Sequence, residues 1–249
     1  MTIELGTIRE LFRYPVKSMA GVPVIAAQLG LHGLVGDRRF GFRRVGDTSS
    51  FPWLSASRLP ALVTFQPVAG DGEFVPASVR TPEGEYVALE GDALREDIGR
   101  RFGSPVELMQ LKHGIFDEAS VSVISVATIL GIERTCGRTL DRLRFRPNVV
   151  LETTDERPFR EDAWVGGTLI FGEADGAAVA VTLRDERCMM VNLDPATGEQ
   201  DASVMKAIVG LNGNCAGVYG AVVRPGALEV GMPVRLVSGT LPGSRSVPG

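Results

Sequence analysis

Short β-prone runs, each closed by Gly, Pro or Asp, follow one another along most of this chain with few helical patterns between them. "IRELFRY" (8–14), "PVIAAQLG" (23–30), "RRFGFRRV" (38–45), "ALVTFQPV" (61–68) and "ASVRT" (77–81) fill the N-terminal half. "PNVVLE", "TLIFG", "AAVAVTL", "CMMVNL", "GVYGAVV", "ALEV" and "PVRLV" follow in the C-terminal half, and "TPEGEYVAL" reads as a hairpin on a Pro-Glu-Gly turn. A doubly wound sheet needs a helix after nearly every strand. This pattern instead predicts a mainly β fold with few helices, a barrel or a sandwich. Three stretches do read as helices: 92–103 with Asp92 as cap and Gly103 as stop, 125–137 between Ser125 and Gly137, and 201–213 with Asp201 as cap. The pattern loosens around 104–120, and a boundary near 112–118 divides the chain into a domain over 1–112 and a second over 113–238. The Gly/Ser/Pro-rich segment 239–249 reads as a flexible tail.

Charge and cysteine content exclude several functions. A net charge of −4 argues against a broad nucleic-acid or membrane surface. No apolar run reaches the 18 residues of a membrane span and no signal-like start is present, so the expectation is a cytoplasmic protein with reduced thiols. Cys136, Cys188 and Cys215 form no C-x-x-C pair, and His32 and His113 are the only histidines. Zinc-ribbon, iron–sulfur and His-triad readings therefore start low.

Five short motifs carry polar side chains in unusual company. "YPVKS" places Lys17 and Ser18 after a strand and a proline. "GDRRF" places Arg38 at a strand start. In "RFRPN", Pro147 should push Arg146 toward an extended backbone, and residues two apart on a strand share a face. Arg146 and Asn148 would then offer a cation and an amide to one ligand. "ERCMM" sets Arg187 beside Cys188, and a neighbouring cation favours the thiolate, a soft metal ligand. "GVYGAVVRPG" sets Tyr219 between glycines, where backbone or ligand can approach closely. Taken singly, each also reads as an ordinary turn, a solvated face or a packed side chain.

In this order, and with "DPATG" after the cysteine, the motifs resemble the MOSC family. That family comprises the C-terminal domain of molybdenum cofactor sulfurases and the stand-alone proteins similar to the mitochondrial amidoxime reducing component. The resemblance covers nearly the whole chain, with an N-terminal β-barrel domain followed by the MOSC domain. It implies a molybdopterin-type cofactor whose molybdenum is ligated by Cys188. By motif position it assigns Lys17, Ser18, Arg38, Arg146 and Asn148 to cofactor binding, with Arg187 beside the thiol added to that set, and it makes Cys188 and Tyr219, near the metal, the catalytic residues. Asp117 and Glu118 match a variable loop near the cofactor. The chain departs from the pattern at Asp185 and Glu186, where relatives often carry a cysteine or small hydroxyl residue, at Val191 and Asn192 in place of Thr-Thr, and at Ser120 in place of Pro.

The resemblance implies an oxidoreductase that reduces N-hydroxylated compounds such as hydroxylamines and amidoximes. The chain has neither ferredoxin cysteines nor a G-x-G-x-x-G fingerprint, so a separate flavin or iron–sulfur reductase would supply electrons. Two other readings stay open: a persulfide carrier acting through Cys188, and a carrier that holds the cofactor without turnover. Cys136 and Cys215 read as structural.

Overall fold

The structure is a computed structural model and describes residues 2–69, 75–116 and 118–238. The tail expected over 239–249 lies outside the described residues. Seven strands close into a barrel: Thr2–Arg13, Val149–Thr153, Val121–Ser125, Cys215–Arg224, Ala178–Glu186, Gly167–Phe171 and Pro233–Ser238, which returns to the first. All of these neighbours are antiparallel except Val121–Ser125 and Val149–Thr153. A parallel pair needs a crossover, and helix α2 (Val126–Cys136) supplies it.

The first strand makes closure possible. Its early residues pair with Pro233–Ser238, its last three pair with Val22–Val24, and its middle pairs along the other edge with Val149–Thr153. Gly6 sits at the register shift, with φ +143°. A Cβ there would lie 1.9 Å from the Glu152 carbonyl oxygen, so only glycine lets the two backbones approach. This strand belongs to the N-terminal side of the boundary expected near 112, yet it completes the barrel formed by the C-terminal side.

Three apolar cores surround one seam. Ile8, Val123, Leu151, Leu169, Val179 and Val218 fill the barrel. Phe40, Phe42, Leu54, Leu62 and Phe65 pack with Leu94 and Ile98 of α1 (Asp92–Phe102) in a second core. Ile129 and Ile132 of α2 pack with Val204 and Ile208 of α3 (Ser203–Asn212) against Ile124 and Val150 on the outside of the barrel.

Several expected elements differ locally. "CMMVNL" forms a 3-10 turn, Met189–Asn192, rather than a strand. Met189, Met190 and Leu193 face the second core whereas Val191 faces the third. A strand offers only two alternating faces, whereas a 3-10 turn directs successive side chains around its axis. The start of "ALVTFQPV" is likewise a 3-10 turn, Pro60–Thr64, and its strand begins at Gln66. Ser125 caps α2 as expected, its hydroxyl accepting from the Thr128 amide. Gly91 rather than Asp92 is the N-cap of α1, and Ala202 rather than Asp201 precedes α3.

Candidate functional site

Four of the five motifs are tied together by backbone and buried polar bonds, and "GVYGAVVRPG" joins them through Tyr219. The turn holding Asp37 and Arg38 is bound to the end of the first strand: the Tyr14 amide donates to Asp37 Oδ1 at 2.6 Å, and the Arg38 amide donates to the Tyr14 carbonyl at 2.6 Å. Asp37 Oδ2 accepts from the Arg38 guanidinium and, at 3.2 Å, from Asn148 Nδ2. The resulting pocket is lined by Ser18, Arg38, Phe116, Ala119, Arg144, Phe145, Arg146, Asp185 to Cys188, Met190, Val191 and Tyr219. Larger open clefts flank α1, lined by groups such as Glu90, Asp92 and Glu107, and of the five motifs they include only Phe40 of "GDRRF".

Backbone conformation marks the pocket independently of side-chain chemistry. Among the described residues, five non-glycine positions have positive φ, and three of them line the pocket: Ser18 (+66°), Arg38 (+48°) and Arg146 (+49°). Such conformations cost free energy and cluster where a fold must aim a side chain.

Arg146 corrects the extended backbone expected before Pro147. It ends a 3-10 turn, Arg142–Phe145, with φ 49° and ψ 43°, and its amide donates to the Leu143 carbonyl. Closing that turn overrides the preference imposed by the proline. Arg146 and Asn148 therefore do not share a strand face. The Arg146 guanidinium lines the pocket and donates to the Met19 carbonyl at 2.7 Å. Asn148 is buried: its Oδ1 accepts from Ser122 N at 3.1 Å, and its Nδ2 donates to Asp37 and to the Phe12 carbonyl. It holds the Asp37–Arg38 turn against the barrel and does not line the pocket. Lys17 is also buried outside the lining, its ammonium 5.3 Å from the Phe51 ring centroid.

Cys188 is exposed at the pocket edge and begins the Met189–Asn192 turn. Arg187 turns inward: its guanidinium donates to the Ala216 and Phe145 carbonyls at 2.9 and 2.8 Å and pairs with Asp185 at 3.0 Å. Its Nη2 is buried with no hydrogen-bond partner. Asp185, 1% exposed, accepts from the Ser122 hydroxyl at 2.9 Å and from the Tyr219 side chain. Burial pushes its carboxyl up to about 6, while Arg187 and these hydrogen bonds oppose the rise. Burial raises the Cys136 and Cys215 thiols, and neither lines the pocket.

Sequence reasoning held Tyr14, Asp37 and Arg144 only as members of "YPVKS", "GDRRF" and "RFRPN", with no role of their own, and missed Ser122. Arg144 supports the segment after the thiol. It donates to the Asn192 carbonyl at 3.0 Å and to Asp194 Oδ2 at 2.6 Å. Asp194 Oδ1 in turn accepts from the Ala196 and Thr197 amides, so Arg144 anchors the "DPATG" turn that follows the thiol. Asp117 lies outside the described residues, and Glu118 is exposed and outside the lining.

The donor set suits a large anionic cofactor carrying a metal. Arg38, Arg146 and Ser18 offer cations and a hydroxyl on one wall, and Arg187 Nη2 is an unused donor. Cys188 offers one soft ligand, and among the described residues no cluster of three His, Cys, Asp or Glu side chains could complete a metal site. A metal bound to Cys188 would take its remaining ligands from a non-protein group. The enclosed volume is about 70 Å³, below the ~300 Å³ of a typical ligand pocket. A pterin-sized group would therefore not be enclosed by this pocket alone.

Comparison with known proteins agrees with this architecture. Residues 110–235 match the MOSC domain and residues 5–100 match the MOSC N-terminal beta barrel domain. The chain is similar in fold to the YuaD protein from Bacillus subtilis, with TM-score 0.51 and 13% identity over 96% of this chain and 99% of that one. YiiM from Escherichia coli aligns with TM-score 0.42 and 14% identity over 92% of this chain and 71% of that one. No curated protein matches. The two domain matches together span most of the sequence, and the chain belongs to the MOSC family.

Proposed function

We propose that this protein binds a molybdenum cofactor and reduces N-hydroxylated compounds, such as hydroxylamines and amidoximes, with electrons from a separate flavin or iron–sulfur reductase. MOSC domains are associated with molybdenum cofactor binding. The observation that carries the reading is the meeting of the exposed Cys188 thiol with Ser18, Arg38 and Arg146 on one pocket wall, the last three all on left-handed backbones.

The bound cofactor would supply the two-electron chemistry. The protein's share is binding, orientation and proton placement. Arg38 and Arg146 would hold an anionic tail, and Ser18 would donate to it. Asn148 and Asp37 would keep Arg38 aimed. Cys188 would ligate the metal at the edge of the pocket, open to a small substrate. The Asp185 carboxyl, bonded to Tyr219, lines the same pocket and would hold a proton there below about pH 6. Among the described residues no helix is long and apolar enough to cross a membrane.

The test is reduction of hydroxylamine or benzamidoxime by cofactor-loaded protein, with a chemically reduced viologen as donor. Wild type should turn over and Cys188→Ser should not. Turnover that survives Cys188→Ser contradicts the reading. The exposure of Cys188 also favours a second reading, persulfide transfer, which predicts extra sulfur mass on Cys188 in protein that carries no molybdenum.

A further inference from the structure

Arg38 and Arg146 come from segments more than a hundred residues apart, yet Arg38 Nη2 donates to the Arg146 carbonyl at 3.3 Å. Asp37 engages the first guanidinium and the Met19 carbonyl the second, and one side chain, Tyr14, touches both. The Arg146 guanidinium carbon lies 4.3 Å from the centroid of its ring, and the Arg38 guanidinium carbon lies 4.9 Å from the same centroid. Both are within cation–π range.

The ring has no freedom to swing away. Tyr14 is fully buried, and its backbone is bonded on both sides to the Asp37–Arg38 turn. Gly21 lies directly against the ring, where a Cβ would come within 2.5 Å of Tyr14 Cε1. The Tyr14 hydroxyl is buried with no hydrogen-bond partner. Burial also raises the phenol, so it stays neutral and presents a π face rather than a charge.

We infer that Tyr14 is a positioning residue whose ring, and not its hydroxyl, fixes Arg38 and Arg146 as a preformed cradle for the anionic part of the ligand. Its value for ligand binding rests on the proposed cofactor reading. Its effect on the two arginines does not.

The experiment follows the Nε–Hε NMR signals of Arg38 and Arg146 in the ligand-free full chain, together with molybdenum per folded chain from a cofactor-competent host. The proteins are wild type, Tyr14→Phe and Tyr14→Met. Methionine fills the space without a π face. Tyr14→Phe should match wild type in both readouts, because the hydroxyl has no partner. Tyr14→Met should increase the motion of both arginine side chains above wild type, although Asp37 and the Met19 carbonyl still engage them, and lower molybdenum content about tenfold, the scale of a lost buried cation–π contact. Arginines as ordered in Tyr14→Met as in wild type overturn the inference. Loss of order or metal in Tyr14→Phe also overturns it, and that arm holds even where Tyr14→Met fails to fold. Wild type without molybdenum, but with the predicted arginine dynamics, would support the positioning role and contradict the cofactor reading alone.

Discussion

The barrel interior and the seam beside it are both buried, and they are built from opposite chemistry. The interior is a set of aliphatic side chains from every strand, such as Ile8, Leu151, Val179 and Val218. The seam buries Asp37, Arg144, Asn148, Asp185 and Arg187, with Arg38 beside them. A hydrophobic interior tolerates exchange of one aliphatic group for another of similar volume. A buried polar network depends on every partner, because an orphaned charge costs more than the pair contributes. Both regions stabilise the fold, and the seam in addition sets where a few side chains point.

Substitutions can separate the two roles. The largest expected effect is at Asp37, which serves the Tyr14 amide, Arg38 and Asn148 at once. Asp37→Ala should cost about 3–5 kcal/mol in chemical denaturation and should also abolish cofactor retention in the protein that remains folded. Leu151→Ala, inside the barrel, should cost a similar ~2–5 kcal/mol and leave the cofactor content of the folded fraction unchanged. Equal losses of cofactor in both variants would erase the distinction. Gly6→Ala should lower stability by about 3 kcal/mol, since the added Cβ meets the Glu152 carbonyl.

Arg146→Ala is smaller and more selective. Removing a charged hydrogen-bonding partner from a ligand is worth about 1.5–3 kcal/mol. The variant should therefore purify at similar yield with roughly ten- to hundredfold weaker cofactor retention. Unchanged metal content would remove Arg146 from the site.

How far the sequence spoke for each region follows the same division. Barrel strands announced themselves because alternation and turn residues are local signals, as in "PVRLV", which became Pro233–Ser238. "CMMVNL" misled for a physical reason: its side chains serve two different cores, which no local pattern records. In the seam, the motif residues were visible as residue types, but their division of labour was not. Asn148 and Arg187 looked like ligand contacts and are instead largely engaged in framework bonds to segments far away in sequence. Tyr14 looked like the end of a strand, because its two cations arrive from Arg38 and Arg146.

pH offers a gentler probe of the seam. Burial raises the Asp185 carboxyl from 3.8 to about 6. The folded chain therefore binds this proton more tightly than the unfolded chain. The contribution favours folding below pH 4 and is lost as pH rises through 6. Asp185→Asn in ligand-free protein should gain stability relative to wild type between pH 4 and 7, by no more than about 3 kcal/mol. A stability difference independent of pH would mean that Asp185 is ionised throughout. The smallest effect is expected at Cys136, where Cys136→Ala should alter neither stability by more than about 1 kcal/mol nor metal content.

The central claim is that Cys188 holds a cofactor metal at the edge of the seam. The most direct measurement is molybdenum content together with the fluorescence of the oxidised pterin, for wild type and Cys188→Ala made in a cofactor-competent host. The account predicts close to one molybdenum per wild-type chain and its loss in the variant at similar yield. Wild-type protein without metal or pterin, or a variant that keeps both, would contradict it.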